Sequence, residues 1–338
     1  MKRIWMKLAL FAVILGVPAA FADTSKNPAV PGTINYVEGQ VSIGAQDLNS
    51  KSVGSTQVEE GQSLTTDKGK AEMLLTPGVF LRLNDHSSAQ MVSSGLTNTQ
   101  VAVNQGEAMI EVDNLHPQND IRIAEDGVTT RLLKTGLYDF DASHNLVRVL
   151  DGKASVSEND REVTVKGGHE LALNDNSAKP KAQKFGKKEF ETTDLYRWSS
   201  LRSDYLAQAN ADTARIYYTG GLYGPGWFGA GWYWDPWFSS FTFIPGDGIF
   251  YSPFGWGFYS PLWAYSAPIY YRGYGRYGTA PVRVAHDPAP YHNRAIHSGF
   301  ASGGHPVSGG THSFGAYNAG GGFHGGMGAM HGGFGGRR

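Results

Sequence analysis

Short runs of alternating apolar and polar residues, separated by glycines, extend from Thr33 to Leu173. A period of two places one side of each strand in a core. Glycine provides the positive φ angle that tight hairpin turns need, and it closes these dipeptides: Glu38-Gly39, Glu60-Gly61, Lys68-Gly69, Gln105-Gly106, Asp126-Gly127, Asp151-Gly152 and Gly167-Gly168. We therefore predict a mainly β domain over residues 30–175, a roll, sandwich or short solenoid of mostly antiparallel hairpins.

The first 22 residues have the pattern of a secretory signal peptide. Three basic residues precede an apolar run from Leu8 to Val17, and the small-x-small triplet Ala20-Phe21-Ala22 follows it. The alternative is an uncleaved membrane anchor, but the run is shorter than the ~20 residues that a spanning helix needs. We expect cleavage after Ala22, no transmembrane span afterwards, and a periplasmic or extracellular protein.

Composition excludes several classes of site. The chain has no cysteine, so a disulfide scaffold, a thiol nucleophile and a cysteine-based metal site are all impossible. The 29 basic and 30 acidic residues nearly cancel, which argues against a nucleic-acid partner. No catalytic signature stands out, so we expect a protein that is not an enzyme and needs no cofactor. The acidic residues Glu72, Asp113, Asp139 and Asp141 are expected to be solvated at strand faces or turns.

Two segments follow the β domain. Residues 176–193 are polar and rich in lysine, which is typical of a basic linker. Over 194–214, Leu195, Trp198, Leu201 and Tyr205 recur at steps of three and four, which predicts one amphipathic helix. Its apolar stripe can pack against its own domain or serve a partner.

Residues 215–277 form a belt rich in tryptophan, tyrosine, glycine and proline, followed by a Gly/His-rich tail at 278–338. Tryptophan side chains are frequent anchors at binding surfaces, so the candidate ligand-binding residues are Trp227, Trp232, Trp234, Trp237, Trp256 and Trp263. The alternative is that these rings pack on the β domain or on each other. The expected partner is an envelope polymer, such as glycan or peptidoglycan, or an envelope protein.

The tail is expected to be disordered, because glycine dominates it and apolar residues are sparse. Seven of the eleven histidines lie after Ala285, but they have no fixed ligand spacing. We therefore predict no specific metal site. Residues 224–229 satisfy the GxGxxG pattern by letter, yet no helix pattern follows, so a dinucleotide site is not expected.

Several motifs in residues 33–173 resemble the periplasmic domain of the FecR family. They are GQSLTT from Gly61, KAEMLLTPGVFLRLNDHSS from Lys70, the stretch from Gly127 to Phe140, LDGKASV from Leu150 and GGHEL from Gly167. The chain departs from the family at Thr76-Pro77-Gly78 and at Thr135-Gly136. The resemblance implies a FecR-like β fold. It also implies an alternative function, a periplasmic signalling module that relays ligand status to a receptor or a sigma-factor regulator.

Overall fold

The computed structural model describes residues 28–158, 161–173, 181–221 and 227–268, with the backbone of 270–271 and 282–283. The predicted signal peptide and nearly all of the predicted tail lie outside these residues. Within the described part of the chain, no helix is both long and apolar enough to cross a membrane.

Strands dominate the chain as far as Lys184, and one long helix and six short strands follow. The strands are β1 (Ile34–Ile43), β2 (Gln46–Asp47), β3 (Ser63–Leu74), β4 (Val79–Leu83), β5 (Ser88–Gly95), β6 (Asn98–Gln105), β7 (Glu107–Val112), β8 (Ile121–Glu125), β9 (Val128–Leu132), β10 (Gly136–Asp141), β11 (Leu146–Asp151), β12 (Lys153–Glu158), β13 (Arg161–Lys166), β14 (His169–Ala172), β15 (Gln183–Lys184), β16 (Gly231–Asp235), β17 (Ser240–Ile244), β18 (Ile249–Tyr251), β19 (Gly257–Tyr259), β20 (Tyr270–Tyr271) and β21 (Val282–Arg283). The helices are α1 (Lys187–Phe190), α2 (Asp194–Thr219) and a 3-10 helix at Pro261–Ser266.

The first fifteen strands form one sheet in the order β13-β12-β9-β8-β6-β5-β3-β4-β7-β10-β11-β14-β15, with β1 and β2 attached beside β3. All described pairings in it are antiparallel except the parallel pair β6–β8. The prediction of a mainly β domain built from antiparallel hairpins is therefore confirmed. The fold curls around one apolar core that includes Ile34, Met73, Leu81 and Ile110.

Two of the predicted glycine turns are not turns. Gly39 and Gly69 lie inside the long strands β1 and β3, where they face each other next to a register shift. A Cβ atom on Gly39 would lie 2.1 Å from the carbonyl oxygen of Lys68, and one on Gly69 would lie 2.3 Å from that of Glu38. Glycine is needed there because the two backbones come too close for any side chain.

The predicted amphipathic helix is confirmed as α2, which continues five residues further than expected, to Thr219. It packs on the outer face of the sheet together with the hairpins β16–β17 and β18–β19 and the 3-10 helix. We call these elements the C-terminal layer. Leu206 and Ala207 of α2 share an apolar cluster with Leu74 of β3 and Phe80 of β4. The sheet is thus covered by apolar contacts on both faces at its centre.

The segment predicted as a linker, 176–193, carries two short elements in the part that the structure describes. Gln183 and Lys184 pair with β14 as the last strand of the sheet. Phe190 of α1 is buried against Leu137, Leu150 and Leu195. Burial of Phe185 and Phe190 in this cluster holds the lysine-rich segment on the domain.

Candidate functional site

Four of the six candidate tryptophans are packed within the C-terminal layer or against the sheet. The ring centroid of Trp232 lies 4.9 Å from that of Phe80, edge to face, and the residue is only 6% exposed. Trp234 packs over Gly54, where an added Cβ would come within 2.5 Å of the indole. Trp256 donates its indole N–H to the carbonyl oxygen of Ser200 at 3.3 Å. Trp232, Trp234 and Trp256 share one cluster, so their apolar area already contributes to the core.

Trp227 belongs to a separate cluster around Tyr233. Its ring is stacked on that of Tyr233 at 5.1 Å with an interplanar angle of 15°, and the ring of Phe228 stacks on Tyr233 at 4.7 Å. Phe228 is largely exposed. This stack therefore presents one aromatic side chain to solvent above a buried tyrosine.

Trp237 and Trp263 are exposed, at 74% and 41% respectively. Trp237 lies in the β16–β17 turn, where its backbone N–H donates to Asp235 Oδ1 at 2.8 Å, and Asp235 in turn accepts a hydrogen bond from Thr213 of α2. Trp263 lies on the 3-10 helix with its ring nearly parallel to that of Tyr265. Both residues thus lie on a hydrogen-bonded turn or helix, and their side chains are partly or largely exposed to solvent.

A row of mostly charged residues crosses the outer face of the sheet, and sequence reasoning did not find it. Successive strands β3, β4, β7, β10, β11 and β14 place the following residues directly opposite one another: Glu72, Arg82, Met109, Asp139, Arg148 and Glu170. The C-terminal layer covers one end of this row and leaves the other end beside a cleft. We call these ends the covered half and the open half.

In the covered half, the carboxylates and guanidinium groups that pair with each other are buried. Arg82 Nε donates to Glu72 Oε2 at 2.8 Å, and Arg82 Nη1 donates to Glu111 Oε2 at 2.5 Å. From α2, Arg202 Nη2 donates to Glu72 Oε1 at 2.9 Å and Ser203 Oγ donates to Glu111 Oε1 at 2.6 Å. The helix therefore contributes directly to a buried ionic network on the sheet.

The pKa values in the covered half follow from this pairing. Burial by itself raises the pKa of Glu72, but the guanidinium groups of Arg202 and Arg82 outweigh it and hold that pKa below its usual value. Burial and the negative charge of Glu111 raise the pKa of Asp113 well above its usual value. The two carboxylates that are paired, those of Glu72 and Glu111, thus face the two guanidinium groups of Arg82 and Arg202.

The open half has fewer cations. Arg148 Nη1 donates to Asp139 at 2.7 Å and to Asp141 at 3.3 Å, its Nε donates to Glu170 at 3.2 Å, and its guanidinium lies 5.4 Å from the ring centre of Phe190. Burial and then the charge of Glu107 raise the pKa of Asp139 well above its usual value. Burial also raises the pKa of Glu107. One guanidinium therefore serves several carboxylates.

The expectation that Glu72, Asp113, Asp139 and Asp141 are solvated is wrong, because all four are buried. The C-terminal layer and α1 cover the side of the sheet on which they lie. A sequence signal did exist: β4 reads VFLRL and β7 reads EAMIEV, which are apolar on both faces around a single charge. Strands that are apolar on both faces indicate that both faces are covered.

Among the described residues, no group of three or more histidine, aspartate or glutamate side chains is arranged to hold a metal ion. No protein-family model matches the chain, and no curated protein matches it. Two crystal structures of a "putative anti-sigma factor" from Parabacteroides distasonis ATCC 8503 are similar at 14% and 13% identity, each with a TM-score of 0.33. Each match covers 38% of this chain and 62% of that protein.

Proposed function

We propose that the protein is a non-enzymatic, exported cell-envelope protein that binds an envelope polymer through exposed aromatic side chains of its C-terminal layer. The observation that carries the proposal is the exposure of Trp237, Trp263, Tyr265 and Phe228 on a layer that is itself firmly packed. Large aromatic side chains that stay in water despite a well-packed support are typical of binding surfaces.

Glycan is the polymer that these rings fit best. The apolar face of a sugar ring stacks on the flat face of an indole or phenol, and the hydroxyl groups around it remain hydrated. Trp263 and Tyr265 present two rings at an interplanar angle of 18°, with centroids 6.3 Å apart. A pair of roughly parallel rings supports stacking of neighbouring sugars without deep burial.

The buried tryptophans have a different role in this proposal, because they hold the C-terminal layer on the sheet. The experiment therefore compares exposed and buried rings. We expect the double variant Trp237→Ala/Trp263→Ala to lose most of its retention on purified cell-wall polymer while its urea unfolding midpoint is unchanged. Trp232→Ala should instead lose about 3–5 kcal/mol of unfolding free energy, as large buried aromatic residues do.

The matched control is Leu201→Ala, which removes an exposed apolar side chain from α2 without removing a ring. It should retain full binding and full stability. Unchanged retention of the folded double variant would reject the glycan-binding proposal.

A second candidate is a periplasmic signalling module of the FecR type, acting on a receptor or a sigma-factor regulator. It is favoured by the motifs from Gly61 to Thr66 and from Lys70 to Ser88, which resemble that family. Cross-linking in intact cells distinguishes the two functions. A specific adduct with an outer-membrane receptor or a membrane-bound regulator supports signalling, whereas adducts confined to wall polymer support the first proposal.

A further inference from the structure

The open half of the charged row forms the floor of a cleft of about 820 Å³. This volume is within the range of small-molecule sites. Turns between strands and the segment leading into α2 form its walls, and the lining residues are Asn84, Asp85, His86, Gly106, Glu107, Asp141, Ser143, His144, Arg148, Glu170, Lys184, Phe185, Gly186, Glu189, Phe190 and Thr193.

Carboxylates outnumber cations in this lining. Five acidic side chains, those of Asp85, Glu107, Asp141, Glu170 and Glu189, face the cations Arg148 and Lys184. Arg148 is already engaged by three carboxylates, so its charge is compensated within the protein. The field inside the cleft is therefore negative, which attracts a cation.

Several carboxyl groups lie close together at the open half of the row. Asp139 is fully buried next to Arg148 and interacts with the charges of Glu107 and Asp141. Its Oδ1 atom accepts no hydrogen bond from a described donor, and its carboxyl group instead interacts with the carboxyl group of Glu107. Neighbouring carboxyl groups repel one another when they are charged, so a cation in the cleft would stabilise the charged form of this cluster.

The way in which Arg148 is held shows what kind of cation fits. Its guanidinium lies against the ring of Phe190 and donates hydrogen bonds to carboxylates of β10 and β14. Phe185 lies 5.9 Å from Phe190, ring centre to ring centre, and also lines the cleft. An aromatic wall beside carboxylates suits an organic cation with an alkyl chain.

We propose that the open cleft is a second binding site, which takes a ligand through a protonated amine or guanidinium group placed between Glu107, Asp141 and Glu170, with its alkyl part against Phe185 and Phe190. No group of three or more described carboxylate or imidazole side chains is arranged closely enough to hold a metal ion. An ammonium group fits a wider arrangement, because its N···O contacts are about 2.7–2.9 Å whereas metal–oxygen bonds are about 2.0–2.6 Å. The chemistry is distinct from that of the exposed aromatic rings of the C-terminal layer.

Binding of such a cation is coupled to proton release. Burial raises the pKa of Glu107, and a neighbouring ammonium group favours its charged form and lowers that pKa again. Affinity for the amine therefore increases as pH rises. The groups that face Glu107 and the cleft from all surrounding elements are Asp85, His86, Asp139, Asp141, His144, Arg148, Glu170, Lys184 and Glu189.

The test is calorimetric titration of the full-length protein with cadaverine and with the tripeptide Gly-Lys-Gly, at low ionic strength. We expect saturable binding of both probes that weakens with added salt. We expect no binding of pentanediol, the uncharged analogue of cadaverine. Tighter binding of cadaverine would indicate a free amine as the natural ligand, and tighter binding of the tripeptide would indicate a peptide side chain.

The variant Glu107→Gln/Glu170→Gln should bind cadaverine about tenfold or more weakly, since each lost carboxylate removes a charge-assisted hydrogen bond. Glu59→Gln, which changes an exposed carboxylate of the same domain outside this lining, is the matched control and should bind normally. Equal affinity of the double variant and the wild type would overturn the proposal. So would failure of the wild type to bind either amine, whether or not the variant folds.

Discussion

The covered and open halves of the charged row differ in how their carboxylates are paired. In the covered half, Arg82 and Arg202 face Glu72 and Glu111, and burial raises the pKa of Asp113 well above its usual value. In the open half, Arg148 is the one guanidinium bound to Asp139, Asp141 and Glu170 among the described residues. α2 brings Arg202 and Ser203 to the covered half, whereas its first turn, at Leu195, packs on apolar residues of β10 and β11. The comparison indicates that a helix can cover charged sheet residues where it brings side chains that pair with them.

The source of the second cation explains the difference. Arg202 comes from α2, 130 residues after its partner Glu72, and it also lies 4.1 Å above the ring of Tyr36. The helix thus brings the charge that its own docking requires. At the open end, α1 contributes the ring of Phe190 but no cation to the carboxylates. That end therefore remains a cleft.

The largest expected effect comes from removing the cation that links the covered half. Arg82→Met leaves Glu72 and Glu111 buried with fewer donors, and we expect a loss of about 3–5 kcal/mol in unfolding free energy. Urea unfolding monitored by circular dichroism measures it. Arg122→Met is the matched control, because Arg122 pairs with Asp120 at a solvent-exposed position and should cost no more than about 1 kcal/mol. Similar losses for the two variants would show that the buried network stabilises the protein no more than an exposed ion pair does.

Replacing Glu125, near the open half, is expected to increase the unfolding free energy, by less than Arg82→Met decreases it. Glu125 ends β8, and burial followed by the charges of Asp141 and Asp126 raises its pKa to about 8. Because its folded-state pKa lies above the unfolded value, the wild type loses stability as pH rises from about 4.5 towards 8. Glu125→Gln removes this loss, so we expect a gain of about 1 kcal/mol or more at pH 8 and little change at pH 4.

Unfolding of this variant at several pH values sharpens the comparison, with Glu72→Gln as its counterpart. Glu72 is well paired, so its replacement should destabilise the protein at neutral pH. If Glu125→Gln were also destabilising at pH 8, the open half could not be called deficient in cations.

Local patterns in the sequence were sufficient for the elements but not for the contacts between layers. The alternation over Thr33–Leu173 predicts the sheet, and the three-to-four spacing predicts α2. The pairing of Gly39 with Gly69 inside a ladder could not be predicted, because glycine favours turns and bulges alike. The pairing of Arg202 with Glu72 depends on a tertiary contact, so the sequence alone predicts a solvated charge at Glu72.

The tryptophans show the same limit. Composition alone does not show which of the six tryptophans bind and which pack in the core. The tertiary structure shows that Trp232 is buried and Trp237 is exposed. The proline and aspartate that precede Trp237 give a weak sequence signal of a turn, where exposure is common. Nothing comparable in the sequence marks Trp263 as exposed.

Native-state hydrogen exchange on the full-length protein tests most directly whether the ionic network joins α2 to the sheet as one cooperative unit. We expect the amides of Leu206 and Ala207 to be protected as strongly as those of Leu81 and Ile110, and all four to lose protection together as urea is added. Arg202→Ala should lower protection in α2, whereas Arg197→Ala, at an exposed position of the same helix, should not. Rapid exchange throughout α2 in the wild type, with the sheet still protected, would contradict this expectation.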